Sequence, residues 1–235
     1  MADWLGRRGF LSGLAGGAAL FAVRGAFAQQ LTETPSTGEG PFYPDKLPLD
    51  TDNDLLIIND AITPAVGEIT HLSGRVLTAS GEPIRNAFVE IWEVDHTGSY
   101  VHTEGRQPTG NDKNFQGYGR FLTDSKGNYY FRTIKPIEYT LLGMFRAPHI
   151  HVAISQSGRR IFTTQILVKG HPANARDTLR FPAQALEKLM VDFNPLPGSR
   201  IGELAANFDV VLGRNPAGSG DAVIRGTGPS ENRRR

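Results

Sequence analysis

Short runs of alternating apolar and polar residues, closed by clusters of Gly, Pro, Asp or Asn, recur through most of this chain. Alternation with a period of two is the mark of half-buried strands, whose side chains point to opposite faces in turn. The runs cover residues 69–77, 87–94, 118–123, 129–133, 149–154, 161–168 and 207–212. Ser80-Gly81-Glu82-Pro83 and Asp95-His96-Thr97-Gly98 supply turns, and Asp124-Ser125-Lys126-Gly127 reads as a hairpin loop pairing 118–123 with 129–133. One short helix is expected over 183–190, opened by Pro182. About seven short strands with turns between them predict an all-β chain, an antiparallel β-sandwich with one short helix near the C-terminus.

The ends read differently. Arg7-Arg8 and Gly9-Phe10-Leu11 precede a short apolar run to Val23, and Ala26-Phe27-Ala28 offers small residues at the positions a signal peptidase reads. Residues 1–28 are therefore expected to be a twin-arginine signal, which carries cargo already folded. The expected destination is periplasmic or extracellular, with no membrane attachment once the signal is removed. Residues 29–65 read as an extended arm, since the prolines around Phe42 and Tyr43 in Gly38-Glu39-Gly40-Pro41-Phe42-Tyr43-Pro44 stop both helix and central strand. Phe42 and Tyr43 are expected to dock it on a sandwich domain at 66–214. The tail, 215–235, is rich in Gly, Ser and Pro, ends in three arginines and is expected to be disordered. A net charge of +1 offers no basic surface for nucleic acid. With no cysteine, a metal site must be built from His, Tyr, Asp or Glu.

His149 and His151 fall on one face of a strand, with Ile150, Val152 and Ile154 on the other, core-facing side. Two such imidazoles can converge on one ion at about 2.1 Å each; for an isolated His-x-His, two inert, half-buried side chains are the better reading. The other histidines are His71, His96, His102 and His171. A cupin-like Fe²⁺ or Zn²⁺ site needs a carboxylate soon after the pair, and none follows His151 until Asp177. Tyrosine is the other candidate. A phenol titrates near pH 10 when free, but a highly charged ion can hold it as phenolate. Tyr100 and Tyr139 occupy expected loops, whereas Tyr118, Tyr129 and Tyr130 lie in strand patterns and read as packing residues. Spacing alone does not choose among them.

A set of ordered runs does. Gly40-Pro41-Phe42-Tyr43-Pro44, Val89-Glu90-Ile91-Trp92, Gly98-Ser99-Tyr100, Gly119-Arg120-Phe121-Leu122-Thr123-Asp124, Tyr130-Phe131-Arg132-Thr133-Ile134-Lys135-Pro136, Arg146-Ala147-Pro148-His149-Ile150-His151 and Thr164-Gln165 resemble, in order, the intradiol ring-cleavage dioxygenases, above all the protocatechuate 3,4-dioxygenase type. The resemblance spans roughly residues 38 to 213. It implies a non-haem Fe(III) held by Tyr100, Tyr139, His149 and His151, with Arg146 and Gln165 as further active-site residues. It implies that a catechol-type substrate displaces Tyr139, which then acts as a base, and that O₂ opens the ring to a muconate-type diacid. The link from Tyr139 to Arg146 is shorter than in the protocatechuate enzymes and lacks their tryptophans. The chain also lacks the helical N-terminal segment of the catechol-cleaving branch. Which catechol is cleaved, and whether the chain assembles with itself or with a second kind of subunit, is left open. The rival reading is an exported, non-enzymatic β-sandwich that binds carbohydrate or a partner protein, because fold alone does not fix function.

Overall fold

A computed structural model describes residues 30–213, apart from 49, 60, 102–104 and 109. The signal and tail expected at 1–28 and 215–235 lie outside the described residues. In chain order the strands are β1 (Ile69–Thr78), β2 (Phe88–Trp92), β3 (Tyr118–Leu122), β4 (Asn128–Ile134), β5 (Tyr139–Leu141), β6 (Met144–Arg146), β7 (His149–Gln156) and β8 (Arg159–Val168). A short helix, α1 (Ala183–Leu189), precedes β9 (Met190–Val191), β10 (Asn194–Pro195), β11 (Leu204–Asn207) and β12 (Val210–Leu212). None of the described helices is long and apolar enough to cross a membrane.

Alternation sets the architecture. Along β1, Thr70, Leu72 and Val76 are buried while His71, Ser73 and Arg75 are not. β4 runs antiparallel on one side of β1; β11 and then β12 run parallel along the other, and β10 pairs with β11. The second sheet has the order β3-β2-β7-β8-β9. Its pairings are antiparallel except β8 with β9. The expected sandwich is present, with short parallel strands added where the chain closes. The inner faces share one core containing Leu72, Val76, Phe131, Val89, Ile91, Ile150, Val152 and Ile154, each worth about 1.5–3 kcal/mol when fully buried.

One expected pairing does not form. The segments 118–123 and 129–133 are not a hairpin: β3 pairs with β2 and β4 with β1, so the link at 124–127 crosses between sheets. Alternation marks which face is buried but not which neighbour a strand takes. Phe121 and Phe131 meet from opposite sheets, centroids 6.3 Å apart, a contact that side-by-side pairing would forfeit. Asp124 holds the crossing turn by accepting from the N–H groups of Lys126 and Asn128. The closing strand at 207–212 is also split at Phe208, where the chain passes over Gly74. A Cβ on that glycine would sit 2.0 Å from the Phe208 carbonyl oxygen.

The arm ties both sheets together. Leu31 and Thr34 donate their N–H groups to Ala79 and Val211 of the first sheet side, and Thr37 donates to Thr163 of β8. The arm then crosses the outer face of the second sheet, where Phe42 and Tyr43 are buried. Further on, Leu55 and Leu56 turn inward and join the core. The outer face of β2 and β7 is thus covered, and its polar residues are enclosed.

Candidate metal centre

Strand parity puts His149 and His151 on that covered outer face, opposite Ile150 and Val152. β7 lies between β2 and β8; His151 faces Trp92 of β2 on one side and Gln165 of β8 on the other, and His149 is paired with Leu167 of β8. Tyr100 comes from the loop after β2, which is pinned by Asp95: one of its carboxylate oxygens accepts from the N–H groups of Thr97 and Ser99. Gly98, at φ +81°, closes this turn, and a Cβ there would lie 3.0 Å from that of Tyr139. Tyr139 starts β5, the first strand of a hairpin that the sequence reading treats as a loop, and its cross-strand partner is Arg146.

The four expected ligands converge. Tyr100 Oη lies 3.0 Å from Tyr139 Oη, Tyr139 Oη 3.4 Å from His149 Nε2, His149 Nε2 3.2 Å from His151 Nε2, and His151 Nε2 3.2 Å from Tyr100 Oη. Atoms about 2.0–2.1 Å from a shared tetrahedral centre stand about 3.3 Å apart, so these spacings suit an ion between them. The donor chemistry agrees. His149 Nδ1 faces the carbonyl of Ala147 at 2.6 Å; a carbonyl only accepts, so the proton is on Nδ1 and the Nε2 lone pair points inward. His151 stacks on Trp92, rings 4.7 Å apart and 6° from parallel, and its buried Nδ1 has no hydrogen-bond partner among the described residues. Phe42 stacks on Tyr100 at 4.9 Å.

Electrostatics prepares the set for a cation. Burial, reinforced by Arg146, pushes His149 down to about 3, and burial pushes His151 well below the ordinary imidazole range. Both lone pairs are therefore available at neutral pH. Burial also raises Tyr100 well above the usual phenol range, and Tyr139 is raised by the same cause. Without a cation both phenols keep their protons; a highly charged ion held between them would supply the opposing force. Among the described residues no group of three or more His, Asp or Glu could hold a metal, so the phenols are needed to complete a ligand set. The missing carboxylate of a cupin-like site is not supplied by Asp177, which binds Arg146 instead.

Arg146 and Gln165 also reach the site. Arg146 Nη2 donates to Gln165 Oε1 at 2.7 Å, and its Nε donates to Asp177 Oδ1 at 2.9 Å. Gln165 is the cross-strand neighbour of His151. Sequence reasoning missed two supports. Asp177 stands in a loop where no spacing marks it. Glu90, wholly buried, accepts from the hydroxyls of Tyr43, Tyr118 and Ser155 and from Arg160; Arg160 also pairs with Glu39 of the arm. Parity could have found Glu90, since it shares a face with Trp92.

Comparisons with known proteins fit this geometry. A family model described as a dioxygenase matches residues 38–213. The chain is 35% identical over 154 residues to the protocatechuate 3,4-dioxygenase beta chain of Burkholderia cepacia, covering 63% of this chain and 65% of that one. Among solved structures, it resembles the dioxygenase domain of a carbohydrate-binding fusion protein from Streptomyces sp. SirexAA-E, with a TM-score of 0.55 and 26% identity over 77% of this chain and 99% of that one. It also resembles catechol 1,2-dioxygenase from Acinetobacter sp. ADP1, inhibited by bound mercury, with a TM-score of 0.59 and 26% identity over 88% of this chain and 69% of that one. The matched stretches span from 52% to 65% of the first curated relatives.

Proposed function

This chain belongs to the intradiol ring-cleavage dioxygenase family, and from that premise we propose that it cleaves a catechol-type ring with O₂ to a muconate-type dicarboxylic acid, using ferric iron. The observation that carries the proposal is the buried ring of two phenol oxygens and two imidazole nitrogens, spaced 3.0–3.4 Å apart. Tyr100, Tyr139, His149 and His151 would hold the iron. When bound there, ferric iron draws electron density from a catecholate and prepares the ring for O₂.

The residues divide the remaining work. His149 and His151, fixed in a central strand, hold their place throughout. Tyr139 is the member suited to yield to substrate, because its hairpin is bonded into neither sheet and its contact to His149 is the longest of the four. Burial favours its oxygen as a phenol, so Tyr139 would take the proton that a catechol hydroxyl gives up. Arg146 places a guanidinium beside Tyr139, where negative charge gathers as the ring opens. Gln165 has its carbonyl committed to Arg146, which leaves its amide N–H to orient the substrate. Both oxygen atoms enter the product, and the ring opens between its two hydroxyl-bearing carbons.

Export belongs to the same proposal: Arg7-Arg8 and the apolar run after it suit a route that moves a protein folded around its metal. A carbohydrate-binding sandwich has no use for a buried ring of phenols and imidazoles.

Loading the protein with ferric iron is expected to give a visible tyrosinate-to-iron absorption and turnover of a catechol, with two atoms of ¹⁸O from ¹⁸O₂ in the product. Tyr100→Phe is expected to lose the colour and the iron. A colourless wild-type protein that takes up stoichiometric zinc in preference to iron would refute the assignment.

A further inference from the structure

Asp177 is a buried carboxylate, 2% exposed, beside the site but outside the ligand ring. Its oxygens meet three donors. Oδ1 accepts from Arg146 Nε at 2.9 Å and from the Leu179 N–H at 2.9 Å; Oδ2 accepts from the Ala147 N–H at 3.1 Å. An acceptor-only group is required here, because an amide would set its own N–H₂ against one of those N–H groups. The segment bearing Asp177 is also stitched to the ligand hairpin, since the Thr178 N–H donates to the Phe145 carbonyl of β6 at 3.0 Å. Asp177 therefore grips both the side chain of Arg146 and the backbone of the residue after it.

We infer that Asp177 is the positioning residue of this site: it fixes the Arg146 guanidinium, and through it the Gln165 amide, in the orientation ring cleavage needs. The inference rests on the proposed reading of the site. Held at Nε by Asp177, the guanidinium plane cannot turn, and Nη2 is left facing Gln165 Oε1 at 2.7 Å. That contact fixes which end of the Gln165 amide donates. The carboxylate also balances the only charge on Arg146, so the cation can sit at 6% exposure without drawing water into the site. Without Asp177 the arginine is free to rotate, and both polar groups lose their aim while the four ligand side chains keep theirs.

The test has two parts, both on the full chain. In the metal-free wild type, the ¹⁵N-resolved Arg146 Nε–H, assigned by its loss in Arg146→Lys, is expected to lie downfield and to exchange slowly with water. Exchange as fast as that of the exposed arginines overturns the inference, whether or not any variant folds. In the iron-loaded protein, Asp177→Asn is expected to keep the visible absorption while kcat falls about 100-fold and KM stays within about threefold. Loss of the absorption together with the activity would make Asp177 a general support of the metal ring, and kcat within about threefold of wild type would make it idle; either overturns the inference. A wild type that stays colourless with ferric iron defeats the functional reading instead, and the exchange measurement still decides whether Asp177 holds Arg146.

Discussion

Glu93 shows how much one side chain can bend the pH response of this protein. It is wholly buried; one carboxyl oxygen accepts from the Thr133 hydroxyl, and Oε2 has no hydrogen-bond partner among the described residues. Burial holds its pKa well above the usual carboxylate range, so the folded state keeps a proton that the unfolded chain releases. The stability this contributes is present in acid and is lost as pH rises past the unfolded value of about 4.3. Glu93→Gln keeps the shape and the Thr133 bond without the ionisable group. The variant is expected to match wild type near pH 4 and to be more stable by at least about 1 kcal/mol near pH 8, read by urea unfolding of the metal-free protein. The same difference at both pH values would defeat this account. Glu93 was not legible in the sequence, because alternation puts it on the core face, where a lone carboxyl is not expected. His149 and His151 were legible for the converse reason: strand parity alone sends both to one face. Tyr100 and Tyr139 were not separable from other tyrosines by spacing, since Tyr100 lies in a loop and Tyr139 on a strand of three residues, too short to show parity, and only the ordered resemblance singled them out.

At the scale of elements, the hairpin β5–β6 carries the least regular backbone next to the site. Its two-residue turn is Leu142-Gly143, with φ of +50° and +76°. A turn with both central residues left-handed is best filled by Asn-Gly, and a leucine held there costs about 1–2 kcal/mol. Leu142 is 73% exposed, so its side chain has little packing to lose. Leu142→Asn is expected to raise stability by about 1 kcal/mol, seen as a higher urea midpoint with an unchanged slope; a lower midpoint would mean that the leucine makes a contact worth more than the strain. This turn also explains why the hairpin was hidden. Leu-Gly is not a hairpin signal, and strands of three residues are too short to show alternation, so Tyr139 read as a loop residue. The pairing of β3 with β4 was misread for a different reason, since the Asp124–Gly127 turn is compatible with either a hairpin or a crossing between sheets. The contacts of the segment read as an arm were not legible: its Glu39 and Tyr43 meet the Arg160–Glu90 network, residues far apart in sequence whose contacts no local pattern announces.

Across the whole molecule, the core and the candidate metal centre occupy opposite faces of the second sheet. The core is built around the two inner faces, with Leu55 and Leu56 added, and includes none of the four ring residues. The ring is closed over the outer face by the arm, the Tyr100 loop and the hairpin, and the last two supply its phenols. Metal binding should then tighten the cover without building the sandwich. Removing the metal is expected to leave the β-sheet circular dichroism and a cooperative unfolding transition in place, because burial of the inner faces is unchanged. Amide hydrogen exchange should divide by layer: β1, β2 and β7 equally protected with and without iron, and residues 38–44, 98–100 and 139–146 exchanging faster without it. Adding ferric iron should slow exchange in that second group and raise the unfolding temperature, since a ligand that binds only the folded state stabilises it by mass action. Acid should undo the effect in a fixed direction. His149 is held down to about 3 by burial, so the folded state resists a proton that the unfolded chain accepts below about pH 6.5. Stability therefore declines as pH falls from there toward the folded value. If exchange in the central strands rose as much as in the cover when iron was removed, the metal would be holding up the sandwich itself, and the separation of core from site would be wrong.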